Sequence, residues 1–358
     1  MFLRTAVLFW PGSYGGISLV LDKESKQDEK WGNSIQKQMA QHLPGFPISV
    51  HYEPLPRDPR ILDIPIRSPG YNRQLWSTFF ADLYTDAPII AYMDTDSQFV
   101  IPMTKEYVYN GGKPKAFAEG SRQGWVIGWE ATTLAALGLP QPANFMITFP
   151  QLLHRDTIVN TRRFILKHLN TTNFEEAFRM FYTSDMSPVN IWMTYAWFHQ
   201  HDRYEWHIKA TTAKLQENND KLPEGHKIGP EHIVPSIIGV SHISDHKSFQ
   251  PEILLPGYCM SLKATGKTVP AGCQGVTHNM TLSCDYWESF FRYPWPATEK
   301  WCQEGKMDQC CPEAMGKYYK DVVVLVKEKN LTFSKDDVYL VDKLALEMGV
   351  TCPKIYLP

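Results

Sequence analysis

The stretch APIIAYMDTDSQFV, residues 87–100, carries an apolar run that stops on two aspartates with one residue between them. Ile89, Ile90, Ala91, Tyr92 and Met93 are bounded by Pro88 and Asp94, the pattern of a short strand buried on both faces of an α/β sheet. Such sheets bind ligands beyond the carboxyl ends of their strands, which puts Asp94 and Asp96, with Thr95 between them, where a ligand sits. Carboxylates this close repel unless a proton or cation intervenes, so the pair reads as a holder for a divalent metal.

Upstream of that strand the chain alternates strand and helix. ISLVLDKES, residues 17–25, reads as a strand ending in acidic and polar residues; a helix is expected over about 29–42, and ISVHYEP opens a second strand at Ile48. Together they predict a βαβ unit. In GYNRQLWSTFFADLYTD, residues 70–86, Leu75, Trp76, Phe79, Phe80 and Leu83 share one helical face. A crossover helix starts at the sheet edge where its strands end, so Tyr71, Asn72 and Arg73 are expected beside the aspartates. Helix N–H groups and the Arg73 cation on one side, metal on the other, would seat a diphosphate.

The 358 residues hold one large or two ordinary domains, and 43% hydrophobic with 21% charged residues is a globular composition. A formal net charge of −2 offers no general attraction to nucleic acid or anionic membranes. No apolar stretch reaches the roughly 18 to 20 residues of a membrane span, so membrane association is expected only through an anchor that this chain does not carry. All seven cysteines lie between Cys259 and Cys352, without a C-x-x-C pair, which speaks against a zinc ribbon and favours a disulfide-stapled extension over free buried thiols. The sequons at Asn170, Asn279 and Asn330 agree with a secretory lumen; the alternative is the cytosol. The expected division is a catalytic domain over 1–255 and a cysteine-rich, mostly helical or irregular extension over 256–358, with helices at about 314–329 and 335–348.

The strand ending in YMDTDS resembles the D-x-D motif of GT-A-type glycosyltransferases, whose carboxylates hold Mn²⁺ or Mg²⁺ against the diphosphate of a nucleotide sugar. With LVLDKESKQDEKWG upstream and SPVNIWMTYAWFHQHDRYEWH downstream, residues 5–250 resemble a poorly characterised GT-A-like group. That group shows a G-x-x-R-Q helix before the D-x-D and a Ser-Glu-x-Asn segment opening a later helix. The resemblance implies a Rossmann-type mixed sheet flanked by helices, a nucleotide-sugar donor, a glycan or glycoprotein acceptor and a Golgi location. Here Ser187, Pro188, Val189 and Asn190 put proline where the glutamate would stand, and Asp185 is the nearest carboxylate able to replace it as the base that accepts the acceptor proton.

Other candidates follow from the chemistry of glycosyl transfer. Asp22 and Glu24, at the end of the first strand, can hydrogen-bond a nucleotide base or ribose, or simply cap the next helix. His242, in IIGVSHISDHKSF, is implied by the resemblance as a third metal ligand. Trp125, Trp129 and Trp192 could stack against a sugar or pack in the core. Ser187 as N-cap with Pro188 in the first turn predicts a helix start that brings Asn190 toward the donor. Two other classes stand beside the transferase: a silent sugar- or nucleotide-binding protein on the same fold, and a haloacid-dehalogenase-type phosphatase with Asp94 as nucleophile. The latter lacks the expected Thr or Val where Gln98 stands and has no later Gly-Asp-x-x-x-Asp element.

Overall fold

The computed structural model describes residues 6, 10, 14–42, 47–94, 97–99, 103, 108–120, 126–235, 237 and 241–243. Thr95, Asp96, Trp125 and the expected cysteine-rich extension, with all seven cysteines, lie outside the described residues.

Ile17–Leu21 (β1), Lys26–His42 (α1) and Ile48–Tyr52 (β2) form the expected βαβ unit, with Ile17 opposite Ile48 and Leu21 opposite Tyr52 in a parallel ladder. Helix α1 begins ahead of its apolar pattern because Ser25 and Asp28 cap it reciprocally: the Asp28 N–H donates to Ser25 Oγ at 3.1 Å, and that hydroxyl donates to the Asp28 carboxylate at 3.2 Å. Gly32 lets the helix lie close on the strands. A Cβ there would stand 2.9 Å from Leu21 Cδ1 and 3.0 Å from Val50 Cγ1.

Pro69–Thr78 (α2) opens on the Ser68 cap with proline in its first turn. It ends sooner than an apolar face running to Leu83 suggests. The Ser77 and Thr78 hydroxyls donate back to the Gln74 carbonyl at 3.1 and 2.6 Å, in competition with the helical ladder. Arg162 donates to the Phe79 carbonyl, and a 3₁₀ turn follows at Ala81–Leu83. Asp82 in that turn is buried and paired with Arg162 through both carboxylate oxygens.

Then follow Ile89–Tyr92 (β3), Ser97–Phe99 (β4), Tyr109–Asn110 (β5), Lys113–Glu119 (β6), Val126–Leu137 (α3), Gln151–His154 (β7), Arg155–His168 (α4), Phe174–Phe181 (α5), Pro188–His199 (α6), Glu205–Lys209 (β8), Thr212–Asn219 (α7) and Ser241–Ile243 (β9). β5 and β6 are joined by Gly111 and Gly112, both at positive φ, as a tight two-residue hairpin requires. β6 runs parallel to β8, β3 antiparallel to β7, and β4 antiparallel to β9. The architecture is mixed α/β, with small sheets flanked by helices.

β3 departs from its reading as a strand buried on both faces. Its four residues are half-buried, and its ladder partner among the described residues is β7 rather than β1. On the β1 side lies a cavity. The helix predicted from Ser187 and Pro188 is α6, with the Ser187 hydroxyl accepting from the Asn190 N–H at 3.3 Å.

The core, to which helices and the strands β6, β7 and β8 all contribute, contains an aromatic cluster. Phe79 meets Phe174, Phe178, Phe181 and Trp192 at ring separations of 5.4 to 6.1 Å, mostly edge to face, the arrangement favoured by aromatic quadrupoles. None of the described helices is long and apolar enough to cross a membrane.

Candidate functional site

A cavity of about 430 Å³ separates β1 from β3. Ile17, Leu19, Ile90 and Leu152 give it an apolar lining, and Trp10, Tyr14, Tyr84, Tyr92 and Tyr109 add aromatic surface. Its polar wall is made by Asp22, Glu53, Arg73, Gln74 and Asp94. The Tyr84 hydroxyl is buried in the lining without a hydrogen-bond partner among the described residues, a donor that a ligand or water can satisfy.

The polar wall is assembled from strand ends and from α2. Asp22 directly follows β1 and Glu53 directly follows β2, whose N–H donates to the Leu21 carbonyl at 3.1 Å, so both acids leave the parallel pair at one edge. Arg73, in the first half of α2, reaches across to them. Its guanidinium donates to Asp22, to Glu24 and, at 3.2 Å, to Glu53. One cation thus faces three carboxylates, and Arg73 is the single cation lining the cavity among the described residues. Burial pushes the Glu53 carboxyl up from 4.5 to about 7; Arg73 opposes the rise and Asp22 adds to it.

Asp94 closes the wall at the end of β3. Its Oδ1 accepts from the Tyr92 hydroxyl at 3.1 Å and from the Gln74 amide at 3.4 Å. Burial, and then the Asp94 charge, raise the Tyr92 phenol well above its ordinary range, which keeps it a proton donor. Ser97 donates to the Asp94 carbonyl at 3.1 Å, and β4 then pairs with β9, Ser97 opposite Ile243 and Gln98 opposite His242. The segment that follows Asp96 is therefore held in register with the backbone of His242. Facing Cα atoms in such a ladder lie about 4.5 to 5.5 Å apart.

Hard carboxylate oxygens at this wall suit Mn²⁺ or Mg²⁺. Among the described residues no three His, Cys, Asp or Glu side chains gather into a metal cage; Asp96 and the His242 side chain lie outside them. Comparison with protein-family models, with curated proteins and with solved structures finds no match. The chemistry of the site rests on its own geometry.

Asp22, Arg73 and Asp94 meet on one wall, and Glu24 joins them through Arg73. The other candidates fall elsewhere. Asn72 is fully buried, donating to the Leu62 and Ile64 carbonyls at 2.9 and 2.8 Å and accepting from the Tyr182 hydroxyl at 2.8 Å. It ties the preceding loop to α2. The Tyr71 N–H is taken up by the Ser68 cap, and its ring lies under the Arg67 guanidinium, 5.3 Å from the centroid. Asn190, also fully buried, accepts from the Phe145 N–H at 2.7 Å and donates to Asn144 at 3.2 Å. Trp192 is enclosed between Phe79 and Tyr92, and Trp129 is buried as well, so both pack in the core rather than presenting a face to a sugar. Asp185 lies off the cavity wall, its two oxygens held by Arg67.

Glu53, Gln74 and Tyr92 are the site residues that the motif reading passed over. The signal for Glu53 was present: like Asp22, it is the first acid after the last apolar residue of a parallel strand.

Proposed function

We propose that the chain is a metal-dependent glycosyltransferase of GT-A type, moving a sugar from a nucleoside-diphosphate sugar to a hydroxyl of a glycan or glycoprotein. One observation carries the reading: β1 and β3 end on a common cavity where Asp22, Arg73 and Asp94 converge, with the His242 backbone brought into register with the strand that leaves the D-x-D. Asp94, with Asp96 and His242, would hold Mn²⁺ or Mg²⁺. The ion supplies positive charge that neutralises the leaving diphosphate.

The chain's own residues do the rest. Arg73 can exchange one of its three carboxylates for a phosphate oxygen, a charge-assisted contact of the same kind. Gln74 and Tyr92 hold the Asp94 carboxylate in one orientation. The apolar and aromatic lining excludes water from the donor, and the buried Tyr84 hydroxyl offers it a hydrogen bond. In the conformation described, Asp185 has both oxygens engaged by Arg67, away from the cavity wall.

A specific observation favours a second reading, a protein on this fold that binds a nucleotide sugar without turning it over: Pro188 stands where the resemblance places a glutamate, and Asp185 is tied down. Titration calorimetry with a nucleoside diphosphate, with and without Mn²⁺, tests what both readings share. Asp94→Asn and Asp96→Asn should each weaken metal-supported binding at least about tenfold, on the order of 1.4 kcal/mol. Unchanged affinity removes the metal-site reading. Hydrolysis of a panel of nucleotide sugars then separates transferase from silent binder.

A further inference from the structure

A pair of histidines faces each other away from the cavity, where the segment after α6 meets the 3₁₀ turn Pro230–His232. His201 Nε2 and His232 Nε2 face each other at 3.3 Å, the ring centroids 5.0 Å apart and the planes at 66°. That separation is within reach of a long hydrogen bond when one of the two nitrogens carries a proton. It matches the edge of a tetrahedron: two nitrogens bound to one ion at about 2.0 to 2.1 Å stand roughly 3.3 to 3.4 Å apart. An octahedral ion would draw the same pair to about 2.9 Å at those bond lengths.

A histidine protonated on Nδ1 offers its Nε2 lone pair to a metal ion. The His201 ring is pinned on both sides: it stacks on Trp206 at 27° and meets the Trp197 ring edge to face at 4.4 Å, while the Trp206 indole N–H donates to the His201 carbonyl at 3.0 Å. His232 packs against Trp197 as well, at 5.3 Å. Glu231 Oε1 lies 3.4 Å from His232 Nε2 and places negative charge beside the pair. Its carboxylate folds back over Gly229, where a Cβ would come within 2.1 Å of it.

We propose that His201 and His232 form a two-imidazole site for a tetrahedral transition-metal ion of the Zn²⁺ class, with water completing the shell and Glu231 supplying charge. Imidazole nitrogen suits Zn²⁺, Co²⁺ and Cu²⁺ and not Mg²⁺, so the site is chemically distinct from the carboxylate wall of the cavity. The bound ion would staple the segment after α6 to the turn that precedes Ile233, whose backbone already bridges Ile208 of β8.

Co²⁺ is the probe, because its visible spectrum reports coordination number and ligand type. The full chain titrated with Co²⁺ should develop the intense bands of a four-coordinate ion without a thiolate charge-transfer band. His201→Gln and His232→Gln should each weaken that signal's binding at least tenfold, while Asp94→Asn leaves it unchanged, which separates this site from the proposed donor site. Melting of the metal-free variants by circular dichroism checks that they fold. No four-coordinate signal in the wild-type chain, a signal that both folded histidine variants retain, or a thiolate band in its place would each overturn the assignment; the first needs no variant at all.

Discussion

Glu53 is a carboxyl group whose ionisation the folded chain resists. Its side chain is 7% exposed, it shares Arg73 with Asp22 and Glu24, and burial raises it from 4.5 to about 7. The folded state therefore holds a proton over a pH range in which the unfolded chain has released it. Between those two values the native state binds more protons, so stability falls as pH rises through the window from about 4.5 to 7 and stays low above it. Each pH unit of that window is worth about 1.4 kcal/mol, which sets a ceiling of about 3.5 kcal/mol lost by pH 8. Glu53→Gln keeps the shape and removes the titration. The variant should match the wild type near pH 4, where the acid is protonated in both states, and exceed it by about 2 to 3 kcal/mol at pH 8. Urea unfolding of both proteins at several pH values measures the gap. If the attraction to Arg73 outweighed burial, the variant would instead be the less stable protein at pH 8, and a gap that does not change with pH would refute the reasoning as well.

The buried polar anchors lend themselves to the same unfolding assay. Asn190→Ala leaves the buried Phe145 N–H without its acceptor and should cost about 1 to 3 kcal/mol with nucleotide affinity unchanged in the folded protein. Asp82→Ala strands the Arg162 guanidinium in a largely buried site, and a loss of about 3 to 5 kcal/mol is expected by chemical denaturation. Asp185→Asn, with the parent carboxylate already held by Arg67 and off the cavity wall, should leave turnover of any nucleotide sugar that the wild type accepts within about threefold; a fall of about 10² to 10⁴ would restore Asp185 as the base.

Local signals carried the parts of this structure that could be read from the sequence. The βαβ unit of β1, α1 and β2 followed from two apolar runs around a helical pattern, and the start of α6 from Ser187 and Pro188, because caps and short periodicities depend on neighbours in the chain. Partners distant in sequence were not legible. The Arg162 contact at the end of α2 and the pairing of β3 with β7 join distant residues, and Asn72 and Asn190 owe their roles to loops that no spacing predicts. Trp192 shows the same limit from the other side: helical spacing marks it as apolar-facing, but only the ring of phenylalanines around it makes that face the core. At the cavity, Asp94 and Asp22 were visible as strand-end acids, whereas the pairing of Arg73 with three carboxylates required the fold to bring β1, β2 and α2 together.

The parallel pairing of β6 with β8 has a bearing on how the chain reaches its native state. Lys115 sits opposite Glu205, whereas Ile17 pairs with Ile48 in the first sheet. Closing a long loop costs chain entropy before any of its contacts form, so pairing across that stretch is a slow, late event compared with the local βαβ unit. A ribosome-bound chain that has emerged only as far as α6 already has the helices that carry Phe178, Phe181 and Trp192, but among the described residues β6 then has only its hairpin partner β5 and the Glu119–Asn144 bridge, and its other edge stays open. Such an edge is a template for association with other chains until Glu205–Lys209 arrives to cover it. The yield of folded protein should therefore respond more strongly to the synthesis and docking of this five-residue strand than its small share of the buried surface would suggest.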